Sequence, residues 1–107
     1  MTDFKDRGRS EEARAAMDEE TMFRITARRN RLVGEWAAEK MGLSEAETEA
    51  YKKAVVQADF EEAGDEDVIR KLLGDLTSAG VDVDDAEVRS KLEEKMVEAR
   101  RQFMEES

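Results

Sequence analysis

Three glycines divide this chain into segments, and no proline interrupts it. Gly42, Gly64 and Gly80 each follow a stretch of regularly spaced apolar residues, where a helix commonly ends in a left-handed residue. A helix start signal lies just beyond each glycine. Ser44-Glu45-Ala46-Glu47 is a capping box, Asp65 directly follows Gly64, and Asp84-Asp85-Ala86-Glu87 is a second box with Asp as the cap. Val83 and Val88 flank that last cap at the spacing of a hydrophobic staple. Without Pro to break the segments between these signals, the punctuation predicts helices over about 18–41, 45–62, 66–79 and 85–104.

Each segment carries an apolar stripe at spacings of three and four, the period of a half-buried helix. The first has Met22, Ile25, Leu32, Val33, Trp36, Ala37 and Met41. The second has Ala46, Ala50, Tyr51, Ala54, Val55 and Ala58, with Phe60 near its end. The third has Val68, Ile69, Leu72, Leu73, Leu76 and Ala79, and the fourth Val88, Leu92, Met96, Ala99 and Phe103. Trp36 and Tyr51 lie on these stripes and read as core residues, the Tyr hydroxyl at the edge. Pairs such as Glu49 with Lys53, Glu66 with Arg70 and Glu87 with Lys91 add support at i, i+4. Short links favour antiparallel neighbours, so the expected fold is all-α, a four-helix bundle of modest stability, on the order of 5 kcal/mol.

Composition matters because it sits near the border of disorder. Leu, Ile, Val and Phe make up 20 of 107 residues and the net charge is -10, a balance that warns of disorder unless pattern organises the apolar residues. The pattern does so from residue 18 onward. It does not do so over Met1 to Met17, where charges alternate in sign, Gly8 weakens any helix, and no apolar face forms. The expected organisation is therefore a mobile or frayed N-terminal arm, 1–17, before a four-helix domain, 18–107.

The absent residue types exclude several functions. With no Cys and no His there is no disulfide framework, no standard zinc site and no Ser-His or Cys-His nucleophile pair. The acidic balance argues against nucleic-acid binding, and there is no glycine-rich phosphate loop. No apolar run is long enough to span a membrane, and Met1 to Arg9 is not signal-like, which points to the cytoplasm. Asp59, Glu61, Glu62, Asp65, Glu66 and Asp67 cluster around Gly64 without the register of a calcium loop, and read as acids drawn to helix termini. The expectation is no enzyme, no metal and no cofactor.

Positive charge is uneven. Arg24, Arg28, Arg29, Arg31 and Lys40 make the first helix basic, and Arg24, Arg28 and Arg31 share a face. That stripe reads either as a docking surface for an acidic partner or a phosphate, or as a solvated face paired to acids such as Glu20 and Glu35. Pattern alone therefore leaves open a small nucleotide- or anion-binding helical sensor, and also a stand-alone interaction protein.

Longer motifs go further. Ala27 to Glu39 reads ARRNRLVGEWAAE, and Val55 to Val68 reads VVQADFEEAGDEDV. These resemble the EARRNKLLGLWAAE and VVKADFEEAGDEDV signatures of the alpha-proteobacterial F-type ATP synthase zeta subunit family. Gly80 to Val83 matches the link before that family's last helix. The resemblance implies a four-helix fold with a mobile N-terminal region. It also implies binding to the soluble catalytic head of the ATP synthase, through its alpha, beta and gamma subunits. The protein would then meet the inner membrane only through that complex. In the family the N-terminal segment wedges into a catalytic interface and blocks ATP hydrolysis, while the rest anchors it.

The arm departs from the family pattern. The family reads roughly FDDRERAFEAKFAHDEE where Phe4 to Glu20 here reads FKDRGRSEEARAAMDEE. Two aromatics become Glu11 and Ala15, an acid becomes Gly8, and a His becomes Met17. Two anchors worth about 1.5–3 kcal/mol each when fully buried are lost, and Gly8 costs up to about 1 kcal/mol of helix stability. The resemblance therefore implies a regulatory subunit with weakened inhibition. Its partner-binding residues would be Phe4, Asp6, Arg7, Arg9, Glu12 and Arg14, with Arg24, Arg28, Arg29 and Arg31 as secondary docking or anion-binding candidates.

Overall fold

A computed structural model describes residues 2–60 and 64–106, with side chains from Glu19 onward. Four helices follow one another: α1 (Thr2–Met41), α2 (Glu45–Ala58), α3 (Glu66–Ser78) and α4 (Asp85–Glu106). No strand occurs among the described residues. The all-α four-helix fold expected from the punctuation is the one observed.

The three glycines turn the chain as read. Gly42, Gly64 and Gly80 have φ of 71°, 90° and 82°. At two of them the following amide reaches back across the turn. Leu43 N–H donates to the Ala38 carbonyl at 3.0 Å and Val81 N–H to Leu76 at 2.9 Å, satisfying carbonyls that the helix end would leave open. The capping box at Ser44 is complete, with the Ser44 hydroxyl accepting from Glu47 N–H and the Glu47 carboxylate accepting from Ser44 N–H. At α4 the Asp84 carboxylate accepts from Glu87 N–H at 2.8 Å.

Two boundaries and one cap differ from the sequence reading. α1 is longer, because Ala, Arg and Glu over residues 9–20 favour helix even without a face to bury. α2 ends at Ala58, before the expected 62, and residues 61–63 lie outside the described residues. Asp65 starts α3 without a side-chain cap, because its carboxylate accepts a hydrogen bond from Arg29 instead.

The core is one cluster: Val33, Trp36, Ala37, Val55, Val68, Ile69, Leu72, Leu76, Val88 and Leu92. Met41, Tyr51, Leu73, Val81 and Val83 pack on its margin, so the Val83 side of the staple reaches the cluster that holds Val88. Trp36 is a core residue as expected. The half-buried Tyr51 donates its hydroxyl to the Asp75 carboxylate at 2.8 Å. Burial, and then this acceptor, raise the Tyr51 pKa above the ordinary tyrosine value.

α1 and α2 run antiparallel and close together. Gly34 lies against the Lys52 and Val55 side of α2, and further along Asn30 reaches Asp59 and Phe23 reaches Phe60. α1 packs on α4 as well. From Glu19 onward its first buried residue is Ile25, and Glu19 and Glu20 are exposed. At 40 residues α1 is about 60 Å long, which accounts for the 62 × 24 × 21 Å extents of the chain.

The expected surface pairs form with other partners. Glu49 takes Lys52 rather than Lys53, Glu66 takes Arg89 rather than Arg70, and Lys91 takes Glu94 rather than Glu87. Arg70 turns to the nearly buried Asp67 at 2.7 Å. Gly74, in the exposed middle of α3, has open space where a Cβ would stand. Gly74→Ala should therefore stabilise the fold by about 0.5–1 kcal/mol through helix propensity. A urea midpoint no higher than that of the parent chain would refute this.

Candidate functional site

The sequence candidates fall into two sets. Phe4, Asp6, Arg7, Arg9, Glu12 and Arg14, and the departures Gly8, Glu11, Ala15 and Met17, all lie on α1, and their side chains fall outside the described residues. The four arginines of the basic stripe are described, and they divide into three situations.

Arg29 is internal. It is 2% exposed, and its guanidinium is fully engaged. Nε and one terminal nitrogen donate to Asn30 Oδ1 at 3.1 and 2.8 Å, and the other terminal nitrogen donates to Asp65 Oδ1 at 3.0 Å. Asn30, itself 1% exposed, donates from Nδ2 to Asp59 Oδ2 at 3.0 Å. Asp59 and Asp65 bracket the link between α2 and α3. Their carboxylates hold that link onto α1, a more specific role than the helix-dipole preference read from sequence. Glu61 and Glu62 of the same acidic run lie outside the described residues. No buried side-chain nitrogen or oxygen among the described residues lacks a partner, so the network is closed.

Arg28 is tied to the far end of the chain. Its two terminal nitrogens each donate to a Glu106 oxygen at 2.7 Å, a bidentate pair. The hydrogen bonds hold Glu106 below the ordinary glutamate pKa and Arg28 above its own. A carboxylate lowered in the folded state adds stability above its unfolded pKa, and that stability is lost as pH falls through the folded value. The stability difference between the parent chain and Glu106→Gln should therefore be constant from pH 6 to 8, begin to shrink near the ordinary glutamate pKa of about 4.3, and be gone only below the lowered folded value. A difference that does not shrink at all between pH 6 and pH 3 in urea titrations would contradict this assignment.

Arg24 and Arg31 face solvent. Arg24 pairs at 2.8 Å with Glu20, one of the acids expected for this face. Glu35, the other, takes Lys52 instead. Arg31 makes no ion pair among the described residues. Together with Phe23, Ala27, Phe103 and Glu106, the arginines 24, 28 and 31 line a groove of about 330 Å³ between α1 and the end of α4.

Sequence reading missed the aromatic pair beside this groove. Phe23 and Phe60 stack with ring centroids 5.4 Å apart, yet remain 57% and 55% exposed. Phe60 was placed at the end of a core stripe, and Phe23 lies off the stripe that holds Met22 and Ile25. Exposed aromatics are enriched at protein interfaces relative to the rest of the surface.

The surface offers guanidinium groups, carboxylates and aromatic faces. Among the described residues no group of three Asp or Glu could hold a metal ion, and no helix is long and apolar enough to cross a membrane. This defines a small all-α protein whose described surface offers ionic and aromatic contacts. The chain belongs to the ATPase inhibitor subunit zeta family, whose model matches residues 1–102. That family consists of inhibitor subunits, regulatory rather than catalytic, and membership implies interaction with an ATP synthase. A solved chain described as a solution NMR structure is 52% identical with a TM-score of 0.70, covering 79% of this chain and 96% of its own. No curated protein matches. The two motifs that carried the sequence resemblance prove to touch, through Arg29 and Asn30 on one side and Asp59 and Asp65 on the other.

Proposed function

We propose that the chain binds the soluble catalytic head of an F-type ATP synthase, at its alpha, beta and gamma subunits, and inhibits ATP hydrolysis through residues 1–17. Residues 18–107 act as the anchor, and the protein meets the inner membrane only through that complex. The observation that supports this most is the continuity of α1, which runs Thr2–Met41 without a break. A helix held by the bundle from Ile25 onward transmits the bundle's position to its own start. A bound anchor then sets where residues 1–17, with the candidates Phe4, Asp6, Arg7, Arg9, Glu12 and Arg14, start from the bundle. The segment, expected as a mobile or frayed arm, pays its ordering cost on insertion into an interface. Blocking is steric and needs no chemistry from the inhibitor.

The same reading keeps inhibition weak. Gly8 lowers helix propensity in the middle of the segment, and Glu11, Ala15 and Met17 replace two aromatic anchors and a His of the family pattern. The decisive measurement is ATP hydrolysis by the cognate catalytic head, with the full chain compared to a chain lacking residues 1–17. The full chain should inhibit only above micromolar concentration, and the shortened chain should bind without inhibiting. Equal inhibition by both would refute the role of the segment, and submicromolar inhibition would refute the weakening.

The groove at Arg24, Arg28 and Arg31 supports a second reading, a nucleotide or anion sensor. Arg29 is committed to Asp65 and Arg28 to Glu106, which leaves for a phosphate Arg31 and Arg24, the latter shared with the exposed Glu20. Saturable shifts at Arg24 to Arg31 on titrating ATP against 15N-labelled protein would favour that reading.

A further inference from the structure

The last turn of α4 shows what the basic groove accepts. Phe103 and Glu106 stand three residues apart and lie in the groove with Phe23, Ala27 and Arg28. Glu106 occupies Arg28 with both oxygens. The chain thus brings an aromatic and an acid of its own, one helical turn apart, to the wall of this groove, with the acid bound to α1. Two further guanidinium groups line the same groove. The Arg24 side chain is 64% exposed and held only by a solvent-exposed acid one turn away, and Arg31 is exposed with no ion pair among the described residues. Met104 is 71% exposed on the same last turn of α4. On a chain of net charge -10 this is a local reversal of sign. Arginine with aromatic and methionine side chains is the composition of an interface centre, not of a merely solvated face.

We propose that this groove docks an acidic helical segment of a partner protein. The segment's carboxylates meet Arg24 and Arg31, and its apolar side chain covers Phe23 and Ala27. Glu106 is the chain's own competing acid. It satisfies Arg28 in the free protein and lowers the groove's affinity for an incoming carboxylate. The occupant follows from charge complementarity and from the aromatic–acid turn already seated there. The proposal concerns residues outside 1–17, so it goes beyond the inhibitory reading.

The test uses 15N-labelled full-length protein and a Glu-rich helical peptide of about 15 residues, with a Phe three positions before a Glu. Saturable shifts should appear at residues 23–31 and 103–106. Arg24→Glu with Arg31→Glu should weaken binding at least about tenfold. Both side chains face solvent, so far-UV circular dichroism should confirm that this variant stays folded. Glu106→Gln should tighten binding about three- to tenfold by removing the internal competitor. Unchanged affinity in the charge-reversed variant, or shifts elsewhere, would overturn the proposal. ATP shifting the groove while the peptide does not would overturn it in favour of a phosphate site. None of these readouts depends on ATPase inhibition, so failure of docking and failure of the inhibitory reading are seen separately.

Discussion

Replacing Arg29 by Met should lower the free energy of unfolding by about 3 kcal/mol, the low end for breaking a buried ionic contact. The guanidinium is 2% exposed and supplies hydrogen bonds to Asn30 and Asp65 at once. Met fills most of its volume but donates nothing. Asn30 Oδ1 is then left without either donor in a site that water does not reach. Asp65 is half exposed and can rehydrate, which is why the upper end of the range is not expected. Against a total on the order of 5 kcal/mol, this brings the fold close to its limit, with a fall in melting temperature of roughly 12–20 °C. Arg29→Lys should restore less than half of the loss, because a single ammonium cannot serve Asn30 and Asp65 from the positions of the planar fork. Asp65→Asn keeps an acceptor and should cost only about 1 kcal/mol. Urea unfolding of the three variants checks the ranking. A cost below 1 kcal/mol for Arg29→Met would show that the network is not a fastening of the α2–α3 link.

Gly34→Leu should cost about 2–3 kcal/mol, at the upper end for overpacking a tight contact. A Cβ at Gly34 would stand 3.2 Å from the Lys52 Cα and 3.3 Å from a Val55 methyl. The first of these is backbone and cannot rotate away. Gly34→Ala adds one methyl and gains up to about 1 kcal/mol of helix propensity, so the shift of α2 by a few tenths of an ångström and the propensity nearly cancel. The contrast between the two variants is the informative result. Leu must also displace Val55, which is fully buried in the core, and so disturbs the packing of Leu72 and Trp36. If Gly34→Leu and Gly34→Ala unfold at the same urea concentration, the close approach of α1 and α2 at this point is wrong.

Much of the fold was legible because its signals are local. A left-handed glycine, a capping serine and an i, i+3, i+4 stripe each act within one or two helical turns, so Gly42, Ser44 and the Leu72–Leu76 face could be read directly. The capping bond that did not form has a different cause. Asp65 looked like a cap, but its carboxylate went to Arg29, 36 residues away, because a buried guanidinium needs a partner more than an exposed amide does. The surface pairs failed for a related reason. Long charged side chains choose among several acids within reach, and the choice depends on which helix lies alongside, as when Arg89 joins Glu66 across two helices.

The candidate surface was half legible. The spacing of Arg24, Arg28 and Arg31 put them on one face, and they do line one groove. Nothing in that spacing separated Arg29 from its neighbours, although one residue, about 100° of helix rotation, takes it from solvent to the interior. Nor could it show that Glu106 closes on Arg28, or that Phe23 meets Phe60, since both contacts join residues far apart in the chain.

Read along the chain, then, the residues suffice for four helices, most of their ends, much of the core and the family, although Ala46, Ala50 and Ala79 of the expected stripes are exposed. These depend on interactions a few residues long, or on motifs written contiguously. Which arginine becomes a structural fastening and which stays available to a partner depends on which helix covers it. That is settled only when α2, α3 and α4 close over α1, because burial, unlike helix propensity, is a property of the assembled helices.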